Sequence, residues 1–87
     1  MRIKISKNMK KQYFLLDKLT KKQVRKSIIK LRKGELILEK LSTGKNIYKI
    51  RTGDYRILII KIEDVYVIAS IEHRKEVYLK LFLFLLI

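Results

Sequence analysis

Hydrophobic residues change their spacing along this 87-residue chain, and each change marks a different kind of element. Residues 2–5 alternate charge with isoleucine, the period-two pattern of a short strand carrying Ile3 and Ile5 on one face. Ser6 stands where a helix cap is needed. From residue 7 to residue 18 the apolar positions Met9, Tyr13 and Leu16 fall at i, i+4 and i+7, with Phe14 widening the stripe, and this predicts a helix. A second helix is predicted directly after it. Thr20-Lys21-Lys22-Gln23 has the form of a capping box, Val24, Ile28 and Leu31 repeat the stripe, and Gly34 supplies the stop. Helices joined this closely form an antiparallel hairpin.

After a connector over 35–45 the period returns to two. Residues 46–51, Tyr55–Ile62 and 65–71 are rich in Ile, Val and Tyr and are separated by turns containing Thr52-Gly53 and Glu63-Asp64. Turns this short join antiparallel neighbours. The middle of 55–62 is apolar at consecutive positions, which suits a central strand covered on both faces. The predicted fold class is α+β in the order β-α-α-β-β-β, an N-terminal strand, a helix hairpin and a three-stranded antiparallel meander, with the helices on one face of an antiparallel sheet. At this length the chain is expected to be one domain spanning 1–87 around one modest core.

Composition narrows the chemistry. There is no cysteine, so a disulfide framework, a thiolate metal site and a catalytic thiol are all excluded. His73 is the lone histidine, which removes the paired-histidine spacings of most catalytic zinc sites, and neither a metal nor another cofactor is expected. Lys and Arg total 22 against 8 acidic residues, a formal charge of +14 that attracts polyanions or acidic proteins. Thirteen of the basic residues but only Asp17 of the acidic ones lie within residues 1–33, so most of the excess belongs to the helix hairpin. The N-terminus lacks the apolar run of an export signal, making the cytoplasm the expected location. The last nine residues, 79–87, are almost wholly apolar yet well short of the roughly 20 needed to span a membrane.

Alternation along the strands then gathers a subset of the cations. Lys49 and Arg51 share one face and Tyr48 and Ile50 the other. If Thr52-Gly53 is a two-residue loop, Arg51 lies opposite Asp54, Lys49 opposite Arg56, and all three cations occupy one face. A three-residue loop turns Arg56 away unless a bulge restores it. The same reckoning across a two-residue Glu63-Asp64 loop pairs Ile62 with Val65 and Arg56 with Ile71, placing His73 two residues further on that face. Clustered like charges are unfavourable without an anion between them, so Lys49, Arg51, Arg56 and His73 form a candidate phosphate site.

Two stretches carry a resemblance: Ile47-Tyr48-Lys49-Ile50-Arg51-Thr52-Gly53-Asp54-Tyr55-Arg56-Ile57 and Ile71-Glu72-His73-Arg74-Lys75-Glu76-Val77-Tyr78. Together with the element order they resemble the RelE/ParE toxin superfamily over residues 2–78. The resemblance implies a toxin of a type II toxin–antitoxin system, a metal-free ribonuclease that cuts mRNA on the ribosome through the RNA's own ribose 2′-hydroxyl. By position, Lys49 and Arg51 resemble basic residues that grip phosphate and assist deprotonation. Arg56 resembles the arginine that stabilises the charged transition state, and His73 and Arg74 a proton donor or phosphate ligand. Tyr78 resembles a tyrosine that stacks on a base or aids proton transfer. An acidic or amphipathic antitoxin is the implied partner, with a gyrase-inhibiting toxin or an inactive basic homologue as the alternatives on the same fold. Two positions depart from the pattern. Arg51 stands where some active members have lysine, and arginine is a poor proton acceptor. The apolar tail replaces a polar or mixed end, and covering the sheet, joining two copies or awaiting the antitoxin are equally open roles for it.

Overall fold

The computed structural model describes residues 2–36, 38–41 and 46–76, and within them the helices end where local chemistry stops them. Strand β1 (Arg2–Ile5) leads into α1 (Lys7–Phe14), whose N-cap is Ser6; its hydroxyl oxygen accepts the Met9 N–H at 3.0 Å. Helix α2 (Lys18–Arg32) has its N-cap three residues before the Thr20 cap read from sequence. Asp17 is its cap: the backbone there is extended, and the carboxylate accepts the Thr20 N–H at 3.2 Å and the Thr20 hydroxyl at 2.5 Å. Both Asp17 and Thr20 have capping side chains, and the extended conformation of Asp17 decides between them. At the other end Gly34 takes φ 73°, while the N–H groups of Gly34 and Glu35 return to the carbonyls of Leu31 and Lys30. This left-handed closure is the reason a glycine is needed there.

The strands form a five-stranded sheet in the order β1-β5-β4-β3-β2, with β2 at Glu39–Lys40, β3 at Ile47–Thr52, β4 at Tyr55–Ile62 and β5 at Val65–His73. The three-stranded meander is as predicted. The sheet is mixed rather than wholly antiparallel, because the helix hairpin returns the chain so that β1 runs parallel to β5, Ile3 beside Tyr66 and Ile5 beside Ile68. A two-residue edge strand also appears within the expected connector, pairing Glu39 with Lys49 and Lys40 with Tyr48.

Both helices cover one face of this sheet, α1 against β5 and α2 against β3. Their apolar stripes supply Met9, Val24 and Leu31; the strands supply Ile50, Ile57, Ile59, Ile68 and Ile71. All are buried, and this is the principal core. The opposite face holds a smaller cluster, Ile47 and Leu58 with Leu41 and Ile60. Consecutive apolar residues in β4 are thereby explained, since Ile57 and Ile59 point to the helices and Leu58 points away.

The Thr20 hydroxyl and backbone hydrogen bonds hold the Asp17 carboxyl below its ordinary value of 3.8. A carboxylate with a depressed value contributes stability above its unfolded value and loses it as pH falls through the folded one. We expect Asp17→Ala to melt at a lower temperature than the parent chain at neutral pH. The gap should shrink below about pH 3.8, as followed by thermal circular dichroism across pH.

Candidate functional site

The loop joining β3 and β4 sets which side chains share a face. Its two residues are Gly53 and Asp54, with Thr52 opposite Tyr55, and Gly53 adopts φ 59°. A Cβ at Gly53 would also meet the Gln23 side-chain oxygen at 3.0 Å. The loop is one residue later than the Thr52-Gly53 loop considered from sequence, so Arg51, not Lys49, lies opposite Arg56, and Lys49 opposes Leu58. Moving a two-residue loop by one position keeps the parity of the pairing. Lys49, Arg51 and Arg56 therefore share the face away from the helices, as expected.

Lys49 is buried at 8% exposure, Arg51 is exposed and Arg56 is half-buried. One guanidinium nitrogen of Arg56 donates to the carbonyls of Gly53 at 3.1 Å and Tyr55 at 2.9 Å, anchoring it to the hairpin loop. Ile47, Leu58 and Ile60 lie on the same face beside the cations and lower the local dielectric, which strengthens charge interactions there. The counter-charge is Glu39, a residue that sequence reasoning missed. From β2 its carboxylate lies 3.8 Å from Lys49 Nζ and 3.6 Å from Arg51 Nε. Only its pairing across from Lys49 gives it this place, and a two-residue strand leaves too short a pattern to recognise.

The second motif arrives differently. Ile62 pairs with Val65 as expected, but Ala69 is bulged out: Ile59 pairs with Ile68 while Leu58 pairs with Ser70. Arg56 consequently faces Glu72 instead of Ile71, and His73 faces Tyr55 on the helix side of the sheet, their rings edge-on at 5.4 Å. His73 thus does not join the three cations. Tyr48 and Tyr55 do fall on the face opposite them, Tyr48 beside Tyr66. The bulge is held from outside. The Ser6 hydroxyl donates to the Ala69 carbonyl at 2.7 Å, and Gln12 accepts the Ile71 N–H at 2.8 Å while its amide nitrogen donates to Glu72 at 3.2 Å. Arg74 sits at the hairpin tip, its N–H bonded to the Asp54 carbonyl at 2.7 Å and its guanidinium 3.9 Å from the Asp54 carboxylate. Tyr78 and the apolar tail lie outside the described residues.

Among the described residues no three His, Cys, Asp or Glu side chains come together to hold a metal ion. No described helix is long and apolar enough to cross a membrane. What the cation face can do chemically is bind an anion and stabilise developing negative charge beside a partly apolar floor.

Comparison with solved structures gives this frame its context. The RelB–RelE antitoxin–toxin complex from Methanococcus jannaschii superposes with a TM-score of 0.73 at 24% identity, covering 86% of this chain and 94% of that one. This chain has a RelE-like toxin fold. The isolated Escherichia coli RelE toxin matches with a TM-score of 0.70 at 22% identity over 91% and 92% of the two chains. The archaeal RelE–RelB complex from Pyrococcus horikoshii matches at 0.62 with 26% identity over 84% and 93%. No protein-family model matches the chain, and a search of curated proteins gives no match.

Removing the Gln12 amide takes away the acceptor for the N–H of buried Ile71. Gln12→Ala should cost about 1–3 kcal/mol in urea denaturation. The Ile71 amide should also exchange hydrogen faster than its neighbours in β5, while unchanged exchange there would separate the bulge from Gln12.

Proposed function

We propose that the chain is a toxin of a type II toxin–antitoxin system acting as a ribosome-dependent endoribonuclease that cleaves mRNA. The observation that supports this reading is the convergence of Lys49, Arg51 and Arg56 on one face of the β3–β4 hairpin, on a RelE-like frame. Cleavage through the RNA's own 2′-hydroxyl asks the protein for two things. It must hold the phosphate and the hydroxyl in line, and it must stabilise charge as the pentavalent arrangement forms. Lys49 and Arg51 hold the phosphate. Arg56, clamped by the loop carbonyls, offers its remaining N–H groups to the developing charge. Arg74 shares the Gly53-Asp54 anchorage with Arg56 and extends the basic surface along the tip. His73 acts from the other face, through its packing on Tyr55. Tyr78 is proposed to stack on a base.

The antitoxin reading draws on a different surface. The solved RelB–RelE complexes concern their own chains, but this chain offers a groove that fits an acidic amphipathic helix. The groove, about 430 Å³, runs between α1 and α2 and is lined by Ile5, Met9, Tyr13, Phe14, Ile28 and Ile29, with Lys10 and Arg25 at its rim. Phe14 is 72% exposed, a large apolar ring set among cations. A partner with an apolar stripe between acidic rows satisfies both features.

Two measurements test this function. Purified protein should cleave mRNA on translating ribosomes, and Lys49→Ala and Arg56→Ala should each lower the rate about 10²–10³-fold. Equal activity in both variants refutes the site; inhibition of gyrase supercoiling without cleavage replaces the function. For the partner, an acidic amphipathic antitoxin should neutralise the toxin. Phe14→Glu combined with Ile29→Glu should weaken that complex at least roughly tenfold without altering cleavage.

A further inference from the structure

We infer that Ser27 is a positioning residue for Arg56, holding through Thr52 the hairpin tip to which the Arg56 guanidinium is tied; the inference rests on the nuclease reading above. Arg56 enters that reading as the group that meets the charge of the transition state, so its contribution depends on where its guanidinium sits. The loop sets that place. One guanidinium nitrogen donates to the Gly53 carbonyl at 3.1 Å and to the Tyr55 carbonyl at 2.9 Å, so a shift of the loop carries the guanidinium with it.

Thr52 and Tyr55 are the last pair of β3 and β4, and beyond them Gly53 and Asp54 stand outside the ladder. Helix α2 steadies them from the core side. The Ser27 and Thr52 hydroxyls share a hydrogen bond at 2.9 Å, with Thr52 5% exposed and Ser27 half-buried. One turn earlier on the same helix face, Gln23 brings its side-chain oxygen within 3.0 Å of where a Cβ on Gly53 would stand. Two helix residues four apart therefore touch two successive residues of the hairpin, and the second of these lends its carbonyl to Arg56.

A contact of this kind positions only as well as its own base is held. Ser27 stands between Val24 and Leu31, both wholly buried, so the helix is packed in place and serves as a fixed reference. A hydrogen bond between sheltered hydroxyls fixes direction as well as distance. Ser27 approaches from the helix side while Arg56 works on the opposite face, and the path through Thr52 and the Gly53 carbonyl carries the position of α2 across the hairpin. Lys49 and Arg51 take no part in it, since they pair with Glu39 from β2. Grip on the phosphate and placement of Arg56 are thereby separable.

The experiment compares the full chain with Ser27→Ala, Ser27→Thr and Thr52→Val in single-turnover cleavage on ribosomes programmed with a defined mRNA. Affinity is measured with the same mRNA carrying a 2′-O-methyl group at the cut position, and motion of Arg56 by nitrogen relaxation of its side-chain Nε–H. Bound Ser27→Ala should cleave about 10–10²-fold more slowly, with affinity unchanged and the Arg56 Nε–H more mobile. Thr52→Val removes the other hydroxyl at nearly constant shape and should show the same loss. Ser27→Thr restores a hydroxyl and should return the rate close to that of the parent chain. In an Arg56→Ala background, Ser27→Ala should add nothing, because the group it positions is gone. A full further loss in that background overturns the inference, and so does a lower melting temperature with the cleavage rate of the folded protein unchanged. Unaltered Arg56 motion in Ser27→Ala overturns it as well. That last reading needs no cleavage, so it stands apart from failure of the parent chain to cleave, which sinks the nuclease reading itself.

Discussion

The bulge at Ala69 is the constraint on which the arrangement of β5 depends. A strand carries its side chains on alternate faces, so one extra residue exchanges the faces of everything beyond it. With Ala69 left out of the pairing, Ile71 enters the helix-side core, Glu72 meets Arg56, and His73 leaves the cation face for Tyr55. The clamp comes from the other end of the chain. Ser6 and Gln12, at the start and in the last turn of α1, satisfy the backbone of the part of β5 that β1 does not reach. Ser6 meanwhile caps its own helix, so one hydroxyl fixes where α1 begins and where β5 slips.

This division of labour places the two faces of the sheet under different physics. The helix side is a close-packed core of isoleucines, a leucine, a valine and a methionine, which gives the hairpin a rigid backing. The far side is mixed, with Lys49, Arg51, Arg56 and the Glu39 carboxylate standing beside Ile47, Leu58 and Ile60. Like charges held on a rigid frame cannot relax apart, so the strain of proximity is available to an incoming phosphate. The bulk of the +14 charge lies elsewhere, in the N-terminal third that holds the helices, where its field favours anionic surfaces in general.

How much of this was legible in the sequence depends on the range of the interaction that decides it. The helical stripes of Met9 with Tyr13 and of Val24 with Leu31 are local, and they placed both helices. The shared face of Lys49, Arg51 and Arg56 survived a wrong loop position because two-residue loops conserve parity. The face of His73 did not survive, since the bulge is decided by Ser6 and Gln12, some 60 residues away along the chain. Asp17 was passed over as a cap because Thr20 offers an equally good capping side chain, and only the backbone angle at Asp17 separates them. Glu39 was invisible for a plainer reason: two residues of strand carry no period, and its importance arises across the sheet from Lys49.

The two edges of the sheet bear on whether another strand could add to it. An open edge of a sheet invites another copy to add on as the next strand, and a chain that is 48% hydrophobic has much to lose from such stacking. Here one edge is β1, four residues long with Arg2 and Lys4, and the other is β2, two residues long with Lys40. Among the described residues both edges are short, and the charges on them, Arg2 and Lys4 on β1 and Glu39 and Lys40 on β2, disfavour strand-by-strand addition at either edge.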